Sequence, residues 1–273
     1  MENRGRYIYG VAAGVKAVSL GPIGVESSEV FTIPCGGFCA VVHSCPAEPY
    51  QSGDDETVKK WASAHQSVLD EAQKVLGLVI PMGFDTILQS KDDAVSPDQV
   101  VKDWLKADSE RLQSVMKKIQ GRDEYGVQIF YAPRLIAKQI SEESPEIREI
   151  KEEMASKSPG TAYLYRQKVE KAVKAEIERL ANQWFKDFYA RVKCHCDDIV
   201  VENTKKADKN KVMLLNFSCL VAREMVDNLG EELEKINNME GFSVHFSGPW
   251  PPYSFVAKPT ITATETKEVS DAT

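Results

Sequence analysis

The stretch EVFTIPCGGFCAVVHSC, residues 29–45, decides the fold class of the first half of the chain. It holds two runs of β-branched, aromatic and small apolar residues, 29–34 and 38–45, which are typical of β-strands. Between them, Gly36 and Gly37 supply the positive φ angles that a tight hairpin needs. The stretch therefore predicts an antiparallel hairpin.

The segments around this hairpin extend the sheet and add helices. Residues 6–14, RYIYGVAAG, predict a first strand, and residues 57–76 predict a helix because apolar side chains recur three and four apart. A second helix is predicted after Ser96, which is followed by proline as in many helix N-termini. The strand EYGVQIFYA, 124–132, comes next. These elements predict an α+β sandwich of the split β-α-β type over residues 1–132.

The second half begins with a change of composition. Residues 133–160 are rich in Glu, Lys and Ser and predict a charged helical connection. A long helix is predicted over 161–193, with apolar stripes on two flanks and therefore more than one packing neighbour. A hairpin, a helix and a last strand complete an α+β domain over 161–256. The remaining residues, 257–273, lack aromatic residues and periodicity and predict a disordered tail.

Composition and charge exclude several classes of protein. The 273 residues are 42% apolar and 27% charged, which is ordinary for a soluble globular protein. A net charge of −7 disfavours nucleic acid and anionic lipid as main partners. We expect no membrane span, no signal peptide and a cytoplasmic location, because no apolar run is long enough. The six cysteines are too sparse for a disulfide scaffold, so reduced thiols are expected.

Two clusters of cysteine and histidine are the strongest metal candidates in the sequence. The first is Cys35, Cys39, His43 and Cys45, and the second is Cys194, His195 and Cys196. Side chains of one extended strand cannot all converge on a tetrahedral ion without a bend. Small cysteines are also common core residues. We therefore predict no metal site.

No set of residues predicts catalysis. His65 lies on the apolar face of the helix at 57–76 and lacks an identifiable partner, so a hydrogen-bonded core histidine is the favoured interpretation. Asp197 and Asp198 suit a turn into a strand better than an acid/base pair. Phosphate-binding glycine motifs and the Gly-x-Ser-x-Gly nucleophile elbow do not occur in the sequence. The residues by themselves predict a two-domain interaction protein without catalytic residues or cofactor.

The C-terminal stretch FSVHFSGPWPPYSF, residues 242–255, combines five aromatic residues with three prolines. The prolines stiffen the chain after the strand and hold Trp250, Tyr253 and Phe255 at nearly fixed positions. We predict that these three side chains pack back across the domain junction as a clamp. The alternative is that they stay exposed and contact a partner.

Several stretches together resemble one known family, the gas vesicle protein GvpL/GvpF family, with a GvpF-like character. The resemblance covers residues from about 6 to 256, and its most specific part is GPWPPYSF. The stretches that carry it, in chain order, are YIYGVA, AHQSVLDEA, IPMGFDTIL, EYGVQIF, SPGTAYLYRQK and GPWPPYSF.

The resemblance implies a ferredoxin-like N-terminal domain, an α+β C-terminal domain and no catalytic residues. It also implies an accessory protein of gas vesicle formation that is located at gas vesicles and binds the shell protein GvpA and other Gvp proteins. This chain departs from the family pattern at PCGGFC and at Gly83, where an arginine is common, so any role of that arginine is lost here.

Three functional hypotheses stay open at this point. An assembly factor would cover the apolar surface of unassembled shell subunits, which are prone to aggregate. A minor structural component would instead remain in the vesicle wall. The hypothesis from a different class is a sensor or enzyme that binds a small molecule or metal on a ferredoxin-like scaffold.

Overall fold

A computed structural model of the chain describes residues 5–90, 94–207 and 210–256. The chain forms two compact units: residues up to Gln120 and those from Pro251 onward make the first, and Gly121–Trp250 the second. Both units combine helices with antiparallel sheets, which confirms the α+β class. Across the described ranges, no helix is long and apolar enough to cross a membrane. The predicted tail, 257–273, lies outside the described residues.

In its described residues, the first unit has four strands before its first α-helix. Its elements are β1 (Gly5–Ala13), β2 (Ser19–Gly21), β3 (Val30–Cys35), β4 (Phe38–Cys45), α1 (Asp55–Leu76), β5 (Val79–Pro81), β6 (Ile87–Gln89), α2 (Pro97–Ala107) and α3 (Ser109–Ile119). The predicted hairpin between β3 and β4 is confirmed, with φ angles of 62° at Gly36 and 87° at Gly37. The single helix predicted after Ser96 is two helices that meet at Asp108.

Strand β1 is the centre of the first sheet. The strand order is β2-β3-β4-β1-β5, and β6 also pairs with β1. Alternation along β1 sends Ile8 into a core with α2 and α3, and Tyr7 and Tyr9 into a second core with α1. The sheet is therefore covered by helices on both faces, and β1 is apolar or aromatic on both sides for that reason.

The second unit starts with a strand and ends with one. Its elements are β7 (Arg122–Tyr131), α4 (Pro133–Glu143), α5 (Pro145–Ala155), α6 (Pro159–Lys193), β8 (Asp198–Val201), β9 (Val212–Ala222), α7 (Val226–Asn237) and β10 (Phe242–Trp250).

The split β-α-β arrangement predicted for the first half is found in the second unit. The sheet order is β10-β7-β9-β8, with every neighbouring pair antiparallel. If α4 to α6 are taken as one helical layer, the chain order is β-α-β-β-α-β, the ferredoxin-like order. The first unit instead runs through four strands before α1, so it does not have this order.

The predicted domain boundary at residue 132 also needs correction. Strand β7 pairs with β9 and β10 along its length and is an inner strand of the second sheet. The chain changes unit at Gln120 and Gly121, where Gly121 has a φ of 72°. Helices α4 and α5 are part of the second unit, because Ile136 and Ile147 pack against α6. The prediction for this strand is wrong because the sequence of one strand does not specify its distant partners.

Helix α6 confirms the prediction of a long helix with several neighbours. It is 35 residues long. Val173 and Ile177, in its middle, pack with α4 and α5. Phe188 and Val192, near its end, are buried in the core formed with the sheet and α7.

Candidate functional site

Two tyrosine–histidine pairs lie buried between the first sheet and α1. The hydroxyl of Tyr7 lies 2.8 Å from Nδ1 of His65, and the hydroxyl of Tyr9 lies 2.8 Å from Nδ1 of His43. All four side chains are at most 4% exposed. Each of the four side chains makes two hydrogen bonds in this core.

The hydrogen bonds around Tyr7 fix the tautomer of His65. The carbonyl oxygen of Met82 can only accept, so Nε2 of His65, 3.1 Å away, carries the ring proton and donates to it. Nδ1 then accepts from the Tyr7 hydroxyl, which itself accepts the backbone N–H of Asp85 at 3.0 Å. Burial lowers the pKa of His65 to about 4 and raises that of Tyr7. The pair is neutral near pH 7.

The second pair is arranged in a similar way. The N–H of Val25 donates to the Tyr9 hydroxyl at 2.8 Å, and this hydroxyl lies 2.8 Å from Nδ1 of His43. Nε2 of His43 lies 3.0 Å from the hydroxyl of Tyr50. Burial lowers the pKa of His43 to about 4. The structure thus matches the core-histidine interpretation of His65 and gives His43 the same surroundings.

The first cysteine cluster is distributed over the two cores of the first unit. Cys39 and Cys45 are 1% exposed and pack on the side of α1, whereas Cys35 packs on the side of α2 and α3. Burial raises the pKa of Cys45 to about 11, so this group is a thiol near pH 7. Nδ1 of His43 is occupied by Tyr9. In the described ranges, no three or more His, Cys, Asp and Glu side chains form a group that could hold a metal ion.

The second cluster lies at the turn between α6 and β8. Cys194 is exposed, whereas Cys196 hydrogen-bonds Cys219, and this contact and burial raise the pKa of Cys219. Asp197 pairs with Arg122 at 3.0 Å. Asp198 accepts a hydrogen bond from the following backbone N–H. The two aspartates thus hold the turn and the start of β8, as the turn interpretation predicted.

The three aromatic residues of the C-terminal stretch lie in different surroundings. Trp250, in the second unit, is 51% exposed, and its Nε1 donates to Oγ of Ser247 at 3.3 Å. Phe255, in the first unit, is 4% exposed, and Nζ of Lys118 lies 5.3 Å from its ring centre. Tyr253 packs against the core on the α1 side. Of the three, Trp250 has the surface that a partner could reach.

The outer edge of β10 is open. The N–H groups of Phe242 and Val244 bond outside the ladder with β7, that of Val244 to Oδ1 of Asn237 at 3.0 Å. By alternation the N–H of Phe246 points the same way, and it has no partner in the part of the chain that the structure describes. The Phe246 ring stacks on Tyr125 and is 37% exposed. We call the exposed side of β10 from Phe246 to Trp250 the β10 edge.

Sequence reasoning missed Phe246 and the Tyr7 and Tyr9 pairs. The two tyrosines stand two apart in a predicted strand, which places them on one face and was a usable signal. Phe246 had no local signal of this kind, because only the sheet order makes β10 an edge strand.

Comparison with known proteins gives concordant results. The family model described as gas vesicle synthesis protein GvpL/GvpF matches residues 5–257. Gas vesicle protein L1 of Halobacterium salinarum is 27% identical over 265 residues, which is 93% of this chain and 90% of that protein. Gas vesicle protein L of Haloferax mediterranei is 28% identical over 240 residues, 85% of this chain and 72% of that protein.

A solved structure shares the fold. The crystal structure of gas vesicle protein GvpF from Anabaena sp. PCC7120 superposes with a TM-score of 0.72 at 17% identity, covering 93% of this chain and 98% of that one. The family match spans both units and includes the C-terminal aromatic stretch. The chain therefore belongs to the gas vesicle synthesis protein GvpL/GvpF family, as its sequence resemblance predicted.

Proposed function

We propose that this chain is an assembly factor that binds the shell protein GvpA and other Gvp proteins during gas vesicle formation. Family membership supports a role in gas vesicles. Our proposal concerns the identity of the partners and the stage of gas vesicle formation at which the chain acts.

The observation that carries the proposal is the β10 edge. It combines a free backbone donor with two partly exposed aromatic residues, Phe246 and Trp250. An open strand edge can accept an extended segment of a partner by main-chain pairing, and neighbouring apolar side chains add specificity. Edges of this kind also invite unwanted pairing. We therefore interpret the exposed apolar β10 edge as a binding surface.

A protein of this kind meets a physical need of shell assembly. Shell subunits that pack against copies of themselves expose apolar surface before they assemble, and such surface promotes aggregation. A partner of net charge −7 that covers this surface keeps the subunit in solution until it is added to the shell.

The test is co-expression with GvpA. We expect the chain to raise the soluble fraction of GvpA and to be recovered with it, and we expect Trp250→Ser to weaken both effects. The matched control is Val201→Ser, because Val201 is 53% exposed on β8 at the opposite edge of the same sheet. An unchanged GvpA soluble fraction without any recovered complex would contradict the proposal. If Trp250→Ser and Val201→Ser weakened GvpA solubility and recovery equally, the β10 edge would not be the binding surface.

Detection of the chain on washed, intact vesicles would instead favour a permanent minor component of the wall. An assembly factor is expected in extracts of cells that are forming vesicles and to be absent from washed vesicles.

A further inference from the structure

The first half of α6 is basic in an otherwise acidic protein. Residues 157–175 contain five basic side chains and one acidic one, while the whole chain carries −7. Lys168, Lys171 and Lys174 follow one another at a spacing of three and form a ridge on the helix. All three are exposed.

The helix beside it carries the opposite charge. Residues 142–155, the end of α4 and all of α5, contain six glutamates and two basic residues. Every one of the six glutamates is exposed. The two helices pack through apolar side chains such as Ile147 and Val173, so their charged sides face away from the contact.

Within the described residues, the charges of α5 and of the first half of α6 do not pair with each other. Arg148 and Lys151, the two basic residues among the glutamates, donate to backbone carbonyl oxygens at 2.8 and 3.1 Å. Glu142 pairs with Lys138 at 4.0 Å. In the described part of the chain, no ion pair joins a glutamate of α5 to a basic residue of α6.

Lys168 of the basic ridge and the nearby Lys157 both contact one aromatic ring. The ammonium groups of Lys157 and Lys168 lie 5.8 and 4.8 Å from the ring centre of Tyr165, within cation–π range. Next to them, Tyr163 and Leu164 are 58% and 56% exposed. The start of α6 thus presents apolar surface beside positive charge.

We propose that this acidic and basic pair of helices is an interface between two copies of the chain. The two helices are joined by a short turn and lie side by side, one acidic and one basic. A two-fold axis parallel to them places α5 of each copy against α6 of the other, so that unlike charges meet in both halves of the contact. A two-fold axis perpendicular to the helices would instead place α5 against α5 and α6 against α6, so that like charges would meet. Charge complementarity selects the first arrangement.

The interface is small and depends on charge. The 11 residues of α5 span about 17 Å at about 1.5 Å per residue, and two helices side by side are about 20 Å wide. Each copy would then bury about 350 Å², which is the size of a weak, transient interface. Contacts of this kind are weakened strongly by salt.

The experiment uses the full chain alone, in sedimentation at about 50 mM and about 500 mM salt. We expect a dimer at low salt that dissociates at high salt. The triple variant Lys168→Glu, Lys171→Glu and Lys174→Glu should be monomeric at both. The reciprocal variant Glu146→Lys, Glu149→Lys and Glu153→Lys should be monomeric as well. An equimolar mixture of the two should form a heterodimer, because each supplies the charge that the other lost.

The control for net charge is Lys59→Glu, Lys60→Glu and Lys186→Glu, three exposed positions outside the interface with the same total change of charge. It should dimerise like the unchanged protein. A chain that is monomeric at low salt, or a mixture of the two reversed variants that stays monomeric, would overturn the proposal. GvpA is absent from this assay, so its outcome is independent of the proposed function.

Discussion

At the residue scale, the Tyr–His pairs show how a core accepts polar side chains. Tyr7 and Tyr9 each accept a backbone N–H and hydrogen-bond a histidine, so the phenol and imidazole groups keep the hydrogen bonds that they would otherwise make with water. This arrangement requires neutral rings. A protonated imidazole has no acceptor nitrogen, so protonation of His65 breaks its hydrogen bond from the Tyr7 hydroxyl.

The pKa values predict that acid destabilises the protein through these residues. The pKa of His43 and of His65 is about 4, compared with an ordinary value of 6.5, so between these pH values the unfolded chain binds more protons. The free energy of unfolding should fall as the pH falls from about 6.5 to about 4, by up to about 3 kcal/mol per histidine. Below that range these two groups should contribute no further loss. Urea unfolding across this range measures the effect.

Carboxyl groups also titrate in acid and change the free energy of unfolding. Histidine variants are therefore needed to separate the contribution of the histidines. His65→Gln should lower stability at pH 7 and should flatten the loss between pH 6.5 and 4. His245→Gln, at an exposed position on β10, is the control for the loss of a histidine. A His65→Gln protein with the slope of the unchanged chain would argue against this account.

At the element scale, three helices begin with the same Ser-Pro pair but are capped differently. Oγ of Ser96 accepts the N–H of Gln99 at 3.2 Å at the start of α2. Ser144 makes the corresponding bond at 3.4 Å at the start of α5. Ser158, before α6, makes no side-chain capping bond. At the start of α2, the side-chain amide of Gln99 donates to Oδ1 of Asp103 at 2.8 Å.

This difference gives a matched set of cap substitutions. Ser96→Ala should lower the free energy of unfolding by about 1 kcal/mol, because a helix N–H loses its acceptor. Ser158→Ala should change it by less than about 0.5 kcal/mol, since no capping bond is lost. Urea midpoints of the two variants test this, and equal losses would show that the serine hydroxyl at α2 does not act as a cap.

At the scale of the whole molecule, the two units are interleaved in sequence. The chain leaves the first unit at Gln120, forms the second and returns to the first at Pro251. After this return, Tyr253 packs on the α1 side of the first sheet and Val256 packs on its other side. The first unit is therefore complete only when the C-terminal aromatic stretch is present.

Phe255→Ala should consequently destabilise the first unit. The ring is 4% exposed, and removal of a buried phenylalanine costs about 3 kcal/mol. Amide hydrogen exchange should accelerate in β1 and β4, with β7 and β9 retaining their protection. Trp250→Ala is the control, with an expected cost below about 1 kcal/mol because half of that side chain is already exposed. Faster exchange in the second unit alone would contradict this assignment of Phe255.

The candidate site was only partly predictable. The sequence singled out Trp250, Tyr253 and Phe255 together, because proline and aromatic residues stand out by composition. Whether each of these residues is exposed or buried in a core depends on the unit that it joins. No local sequence pattern shows which unit that is. The same holds for Phe246, whose exposure follows from the place of β10 at the edge of the sheet.

The sequence by itself determined the elements of this protein: the hairpin at Gly36 and Gly37, the spans of α1 and α6, and the family to which the chain belongs. Such features depend on periodicity and turn chemistry, which act between neighbouring residues. Only the tertiary structure decided that β7 belongs to the second sheet and that this unit has the ferredoxin-like order. In that sheet Tyr125 lies opposite Cys219, far along the chain. Strand pairing over such a distance is selected by the packing of whole faces, and the sequence of one strand does not specify its partner.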